Sequence, residues 1–210
     1  LSVREKVLFD IDYTLIDTRR FKEGFKKKIA EFLGISIEEL LLAEQGYVKK
    51  DGGFTDFVPQ EYIDFIADSF NSDKFGISKA FFDDENFADI VFPDVYESLE
   101  TLSKILDLGI FSEGFRDFQL LKLYKTGIFN FFNKDLIFIF RRKLTPEALT
   151  MIPKGCFIVD DNPSVISVLK EKQDVRPIWL NRKTKEEHDN CKTIFSLNNF
   201  EKVLENYSSK

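Results

Sequence analysis

The hydrophobic positions of this chain fall into two patterns, and their alternation predicts an α/β protein. Short unbroken apolar runs, such as Val7-Leu8-Phe9, are typical of strands that are buried on both faces of a parallel sheet. Longer segments between these runs carry apolar residues at helical spacing. Because strands alternate with helices, we expect a doubly wound parallel sheet with the first strand in its centre. The predicted strands cover residues 7–9, 106–111, 136–140, 156–159, 176–180 and 193–197.

Capping signals locate several helices more closely than periodicity alone does. Thr18 is expected to cap a helix that Gly34 ends, and Ser36 forms a capping-box pattern with Glu39 at the start of the next helix. Pro59 marks the start of a third helix. The first helix covers 18–33, and further helices are predicted at 93–106, 115–126, 146–152, 165–172 and 199–206, with one short helix within 76–91.

A long helical segment separates the first predicted strand from the second. Its length of roughly 75 residues exceeds what a single βα crossover needs. We therefore expect residues 18–90 to form a helical cap domain over the C-terminal end of the sheet, with residues 1–17 and 91–210 forming the core domain. A lysine- and glycine-rich loop at 49–53 could meet an anionic substrate, although a solvated loop is the simpler interpretation.

Polar residues follow the predicted strands at the edge where ligands of such sheets collect. The two acids after the first strand repel each other unless a cation lies near them. Oxygen ligands of this kind suit Mg²⁺, so the pattern predicts a magnesium site. These polar residues are Asp10 and Asp12 after the first strand, Ser112 after the second, Lys143 after the third, and Asp160 with Asp161 after the fourth.

Each of these residues also has a purely structural interpretation. Ser112 could only cap the helix that follows it, and residues 160–163 could be an ordinary turn. Arg141 or Arg142, rather than Lys143, could be the basic residue that points into the site. A metal-binding Asp-x-Asp of the glycosyltransferase kind would also fit the first pair of acids. The joint occurrence at successive strand ends favours a functional site, because it is far less expected by chance than any single member.

Charge and composition argue against several classes of protein. The net charge is −6, with 30 basic and 36 acidic residues interspersed, so a nucleic-acid partner is not expected. No apolar run approaches the roughly 20 residues of a membrane helix, and the N-terminus lacks the apolar core of a signal peptide. We therefore expect a cytoplasmic monomer or homodimer. The 24 phenylalanines are interpreted as compositional bias.

The positions of the histidine and the cysteines argue against further kinds of catalytic site. His188 is the single histidine and lies in a charged stretch, which argues against a Ser-His-Asp or Cys-His hydrolase. Cys156 and Cys191 lack metal-ligand spacing and are expected to be reduced thiols.

The motifs, in this order, resemble those of the haloacid dehalogenase (HAD) superfamily of aspartate-nucleophile hydrolases. Residues 10–15, Asp-Ile-Asp-Tyr-Thr-Leu, resemble the first motif, and residues 111–115 resemble the second. Lys143-Leu144-Thr145-Pro146 resembles the third motif, and residues 158–163 the fourth. The resemblance implies a Rossmann-like HAD fold with a helical C1-type cap. Residues 91–95 resemble the segment that returns from this cap to the core.

The chain departs from the superfamily pattern at three places. Tyr13 stands where glycine is commonest, and Glu113 stands where asparagine is common. The interval from Lys143 to Asp160 is several residues shorter than usual, which implies a truncated helix there.

The resemblance implies an Mg²⁺-dependent phosphatase that acts on a small phosphorylated metabolite. It implies that Asp10 attacks phosphorus to form an aspartyl phosphate, and that Asp12 protonates the leaving alcohol and then activates water. A raised pKa, supplied by neighbouring acids, is expected for Asp12 in that role. The phosphoryl group would be bound by Ser112, Glu113 and Lys143. Mg²⁺ would be bound by Asp10, the carbonyl group of Asp12, and the pair Asp161 and Asp160, of which either could be the direct ligand.

Asp12 argues against dehalogenation within this superfamily. Halide leaves without a proton, and the dehalogenase branch has no carboxylate at this position. A phosphomutase that uses the same core residues remains an alternative, as does a catalytically silent binding protein on this fold.

Overall fold

The computed structural model describes residues 4–47, 50–51, 54–55, 57–188 and 191–208, which form a parallel sheet with helices around it. In chain order the strands and helices are β1 (Lys6–Phe9), α1 (Thr18–Leu33), α2 (Ile37–Glu44), β2 (Lys50–Asp51), β3 (Phe54–Thr55), α3 (Pro59–Ser69), α4 (Lys74–Phe81), α5 (Val95–Ser103), β4 (Asp107–Glu113), α6 (Arg116–Lys125), β5 (Ile137–Phe140), α7 (Pro146–Thr150), β6 (Phe157–Asp160), α8 (Pro163–Glu171), β7 (Arg176–Leu180), β8 (Lys192–Ile194) and α9 (Phe200–Ser208).

The main sheet has six strands in the order β5-β4-β1-β6-β7-β8, and every neighbouring pair is parallel. The predicted doubly wound sheet with β1 near its centre is therefore confirmed. The strand predicted at 106–111 extends to Glu113, so Ser112 lies inside β4 rather than after it. α7 has only five residues, as the short interval between Lys143 and Asp160 implied.

Both faces of the sheet are covered by apolar side chains. Val7 and Phe9 pack into one hydrophobic cluster, whereas Leu8 between them packs into a second one. All three side chains are completely buried. This explains why β1 is an unbroken apolar run, since alternate residues of a strand point to opposite faces.

The order in which the chain adds strands to the sheet changes direction, and this change places β1 beside β6. From β1 it continues to β4 and β5 on one side, and β6, β7 and β8 extend the sheet on the other side. The ends of β1 and β6 are joined by a hydrogen bond from the Asp10 N–H to the Val159 carbonyl, 2.9 Å long. Such a switch point is where doubly wound sheets form a ligand crevice.

Residues 18–90, called the inserted segment below, contain α1 to α4 and a two-stranded antiparallel hairpin of β2 and β3. The prediction of a plain loop at 49–53 is wrong for Lys50 and Asp51, which lie in β2; residues 49, 52 and 53 lie outside the described part of the chain. The capping box of Ser36 and Glu39 is confirmed. The boundary of the cap at 18–90 stays a prediction.

The ends of α1 follow from local chemistry. Gly34 ends the helix in the left-handed conformation, at φ +67°, as expected. The prediction that Thr18 caps the start is wrong, because the side chain of Asp17 accepts the hydrogen bond from the Arg20 N–H. Thr18 is the first helical residue, and its hydroxyl is therefore available to Asp12.

Aromatic rings join the inserted segment to α6 of the core. Neighbouring ring centroids lie between 4.5 and 6.5 Å apart, and such pairs contribute about 0.5–1.5 kcal/mol each beyond their buried area. The interpretation of the phenylalanine content as mere compositional bias is incomplete, since these rings form part of the contact between the inserted segment and the core. The rings belong to Phe21, Phe25, Phe57, Tyr62, Phe81, Phe82 and Phe118.

The two connections between the inserted segment and the core run beside each other. The Asp17 N–H donates to the Ile90 carbonyl at 2.7 Å, and the Phe92 N–H donates to the Leu15 carbonyl at 3.1 Å.

Cys156 and Cys191 are both free thiols, as expected. Within the described ranges, no helix combines the length and the apolar character that crossing a membrane would require.

Candidate active site

Asp10 lies at the end of β1, at the switch point of the sheet, and is buried. Lys143 reaches the same point from the loop that follows β5. Its Nζ lies 2.9 Å from Asp10 Oδ1 and 2.5 Å from Asp160 Oδ2. The structure thus places Lys143, rather than Arg141 or Arg142, beside the two aspartates.

Three carboxylates converge here with one buried cation. Oxygen atoms of Asp10, Asp160 and Asp161 all lie within 4.8 Å of one another. Asp160 is also fixed by the Asn162 N–H, which donates to its Oδ1 at 2.9 Å. Asp161 pairs with Lys183, whose Nζ lies 3.5 Å from its Oδ2 on a largely exposed side chain.

The pKa values of this cluster reflect burial and crowding of like charges. Burial raises the pKa of Asp10 to about 6, although the charge of Lys143 opposes this increase. The charges of Asp160 and Asp12 add to the increase. Burial, together with the charge of Asp10, also raises the pKa of Asp161 to about 6. The positive charge of Lys143 therefore compensates the negative charges of these acids only in part.

Lys143 remains charged in this setting. Burial alone would lower the pKa of Lys143, but the charges and hydrogen bonds of Asp10 and Asp160 outweigh it and raise that pKa above its ordinary value. Burial raises the pKa of Asp160 despite the opposing charge of Lys143. A divalent cation bound by oxygen atoms would relieve the remaining repulsion, so these residues fit Mg²⁺.

Asp12 is held by three donors outside the carboxylate cluster. Lys122 Nζ lies 2.6 Å from its Oδ1, and the Thr18 hydroxyl donates to the same oxygen at 2.5 Å. Gln119 Nε2 donates to its Oδ2 at 2.8 Å. Two of these three donors come from α6, so this helix fixes the orientation of Asp12.

The expectation of a raised pKa for Asp12 is wrong. Burial, the largest single effect, would raise the pKa of Asp12, and the charge of Lys122 opposes it. Hydrogen bonds from Lys122, Thr18 and Gln119 act in the same direction, so the pKa lies below its ordinary value. The dominant neighbour of Asp12 is a lysine from a distant part of the chain, whereas the sequence motif showed only acids.

Tyr13 adopts an unusual backbone conformation next to Asp12. Its φ is +61°, in the left-handed region that favours glycine. This explains why glycine is the common residue at this position of the superfamily motif that the chain resembles. A bulky residue here carries a free-energy cost, and such strain is often found at functional sites.

Ser112 presents a buried hydroxyl without a partner. The residue is 1% exposed, and no described residue forms a hydrogen bond with its Oγ. The carboxylate of Glu113 instead accepts a hydrogen bond, 3.0 Å long, from the backbone N–H of Lys143. Glu113 thus orients the loop that carries Lys143, and its contribution to phosphate binding stays a prediction.

A cavity of about 390 Å³ opens between α1 and α6, beside Asp12. Its lining combines aromatic rings with cationic side chains. Asp12 and Gly114 form the core side of this cavity, while Phe21 and Phe57 approach from the inserted segment. The cavity therefore leads from the ends of β1 and β4 to the aromatic rings of the inserted segment.

Three polar residues of the site were missed by the sequence analysis. Gln119 and Lys122 are both buried and bind Asp12, as described above. Arg182 follows β7 and donates to the Thr14 carbonyl from Nε and Nη2, at 3.1 and 2.9 Å. Its Nη1 also pairs with Asp94 at 3.0 Å, so it ties together the two connections to the inserted segment.

Comparison with known proteins supports the fold. No protein-family model and no curated protein sequence matches the chain. Among solved structures, the HAD-type protein YfnB from Bacillus subtilis, solved with magnesium bound, is 17% identical with a TM-score of 0.69, over 96% of this chain and 98% of that one. A HAD phosphatase from Thermococcus onnurineus is 23% identical with a TM-score of 0.60, over 95% of this chain and 97% of that one. A 2-haloacid dehalogenase from Pseudomonas syringae is 20% identical with a TM-score of 0.61, over 98% and 100% of the two chains.

A doubly wound parallel sheet with acids and a buried lysine at its switch point defines an α/β protein whose polar residues lie where such sheets bind their ligands. Within that class the chain has the HAD fold, as its motifs led us to expect. These similar structures include both a phosphatase and a dehalogenase, so the fold alone does not determine the reaction.

Proposed function

We propose that this protein is an Mg²⁺-dependent phosphatase that hydrolyses a small phosphate monoester through an aspartyl phosphate on Asp10. The observation that carries this proposal is the position of Asp10, a buried carboxylate held by Lys143 at the centre of an acidic cluster. The unpartnered Ser112 hydroxyl on the neighbouring strand supports it, because a phosphoryl oxygen would satisfy that donor.

In the first step, an oxygen of Asp10 attacks phosphorus and the bond from phosphorus to the leaving oxygen breaks. Asp12 supplies the proton that the leaving alcohol needs. Lys143 stabilises negative charge on the phosphoryl group while it holds Asp10 in place. Asp10, Asp161 and the carbonyl group of Asp12 would hold Mg²⁺, which would supply positive charge against the phosphoryl oxygens.

In the second step, Asp12 takes a proton from water, and the water oxygen attacks phosphorus. The bond from phosphorus to Asp10 breaks, which releases inorganic phosphate and restores the carboxylate. Lys122, Thr18 and Gln119 lower the pKa of Asp12, which favours the ionised form that this step requires. The first step requires Asp12 to be protonated, so substrates with good leaving groups should react more readily.

Phosphate release from nitrophenyl phosphate, with Mg²⁺ or with a chelator, tests the proposal. We expect release that depends on Mg²⁺, and no halide release from chloropropionate, because Asp12 is a carboxylate. Halide release without phosphate release would favour the dehalogenase alternative. Isomerisation of a sugar phosphate without net release would favour a mutase, and magnesium binding with no reaction would favour a silent binding protein.

Asp161→Asn is expected to lower the affinity for Mg²⁺ by about tenfold or more, because it removes a charged ligand. Asp161 is the better candidate for direct ligation, since Asp160 already accepts hydrogen bonds from Lys143 and the Asn162 N–H. Isothermal titration calorimetry with MgCl₂ measures the change. Asp135→Asn, on an exposed aspartate outside the cluster, is the matched control. Unchanged affinity in the Asp161 variant would contradict the assignment.

A further inference from the structure

The cavity beside Asp12 has an aromatic character that phosphoryl transfer does not require. Asp12 is the residue that faces the leaving alcohol in the proposed reaction, so the cavity lies on the leaving-group side of the site. Four partly exposed rings line it, in addition to two fully buried rings from α1. The partly exposed rings belong to Tyr13, Phe57, Phe115 and Phe118.

Two of these rings are held in place before any ligand binds. Phe118 lies 5.8 Å from Phe21 and 6.2 Å from Phe57, measured between ring centroids. The guanidinium group of Arg141 stacks on the ring of Phe115, with its Cζ 3.9 Å from the centroid. Preorganised rings can stack against a flat ligand with little loss of conformational entropy.

The backbone of Tyr13 is strained at the edge of the cavity. Its left-handed conformation, at φ +61°, would be relaxed by glycine, yet the position carries a large aromatic side chain at the edge of the cavity. Strain that glycine would remove, at a residue adjoining Asp12, is expected where the side chain itself has a function.

The dimensions of the cavity limit what it can hold. About 390 Å³ falls near the lower end of the range for small-molecule pockets, roughly 300–1,000 Å³. That volume suits one ring with a short linker to the ester oxygen.

We propose that this cavity binds a flat aromatic ring carried by the leaving alcohol, so that the substrates are phosphate monoesters of small alcohols that carry such a ring. This inference rests on the proposed phosphatase function and specifies its substrate class. The rings of Tyr13, Phe115 and Phe118 select the alcohol, while Asp10 and Lys143 act on the phosphoryl group.

Steady-state kinetics with three esters test the inference. Phenethyl phosphate and cyclohexylethyl phosphate have alkyl leaving groups of similar reactivity and size, and they differ in whether the ring is flat and aromatic. Glycerol phosphate serves as the polar comparison. We expect kcat/KM to be about three- to tenfold higher for the phenethyl ester than for the cyclohexylethyl ester. Equal values for these two esters would overturn the inference.

Variants locate the preference in the cavity. Phe118→Leu keeps an apolar side chain but removes a ring, so the ratio of the two kcat/KM values should fall towards one. Phe115→Leu provides the same test at a ring with fewer aromatic neighbours, in case Phe118→Leu folds poorly. Phe75→Leu is the matched control, because Phe75 is 77% exposed and does not line this cavity. An unchanged ratio in both cavity variants would overturn the assignment.

Tyr13→Gly separates strain from binding. Glycine relaxes the backbone, so the melting temperature should rise, while the preference for the phenethyl ester should decrease. A variant that gains stability and keeps the full preference would remove Tyr13 from the ring site.

A binding experiment distinguishes failure of this inference from failure of the proposed function. Phenethylphosphonate and cyclohexylethylphosphonate cannot be hydrolysed, and calorimetry with Mg²⁺ present compares their affinities for the whole protein. If neither these three esters nor nitrophenyl phosphate is hydrolysed, the phosphatase proposal fails, and the ring site then depends on this comparison. Tighter binding of phenethylphosphonate supports the ring site, and equal affinities overturn it.

Discussion

Replacing Asp10 with asparagine is expected to reduce turnover by at least about a thousandfold while the protein stays folded. Asparagine is nearly the same shape as aspartate, and it can still accept the hydrogen bond from Lys143. Its amide cannot form the acyl phosphate, so the first step is lost. Phosphate release from nitrophenyl phosphate measures the loss, and Asp135→Asn serves as the matched control. Near-normal turnover would show that water attacks phosphorus directly.

The same substitution should raise thermal stability when Mg²⁺ is absent. Burial raises the pKa of Asp10 to about 6, which means that its ionised form is disfavoured in the folded state. Above this pH the parent protein carries that cost, whereas asparagine does not. We expect the melting temperature to increase by about 2 to 6 °C at neutral pH.

The sign of the pH dependence gives a further check on this stability effect. As the pH falls below about 6, Asp10 becomes protonated in the folded parent protein, and the advantage of the variant should shrink. Scanning calorimetry with a chelator, from pH 8 to about 5, measures this difference. An advantage that grows on acidification would contradict the assigned pKa.

The sequence predicted the carboxylate cluster because each member is encoded locally. Asp10 and Asp161 follow apolar strands, and parallel strands place their C-terminal ends at one edge of the sheet. Lys143 was less certain because Arg141 and Arg142 adjoin it. Only the path of the loop after β5 determines which of the three basic residues reaches Asp10.

The environment of Asp12 could not be predicted in the same way. Gln119 and Lys122 lie on α6, where polar residues are ordinarily read as the solvent face of an amphipathic helix. Their burial depends on how α6 packs against the turn that carries Asp12, more than 100 positions earlier in the chain. Sequence periodicity contains no signal for such a contact.

Arg182 was missed for a different reason. It follows β7, and the rule that identified residues after the other strands applies equally to this strand. Extending the rule to every strand end would have indicated Arg182. Its pairing with Asp94 and Thr14 still requires the structure, since both partners lie in the connections to the inserted segment.

Lys143→Met is expected to abolish turnover and to destabilise the metal-free protein by about 3–5 kcal/mol, as is usual when one partner of a buried ion pair is removed. Methionine fills a similar volume but leaves Asp10 and Asp160 without their shared cation. Urea denaturation with a chelator measures the free energy of unfolding. Adding Mg²⁺ should restore part of the stability, because a bound cation would again compensate the acids.

Two further variants decide whether charge compensation is the cause. Combining Lys143→Met with Asp10→Asn should destabilise the protein less than Lys143→Met alone, since one of the uncompensated charges is also removed. Arg141→Met tests the neighbouring basic residue, whose side chain stacks on Phe115 at the surface; it should change the free energy of unfolding by less than about 1 kcal/mol. If Lys143→Met were stable and active while Arg142→Met lost activity, Arg142 would be the residue that stabilises the phosphoryl group. Lys143 would then serve only to hold the two aspartates.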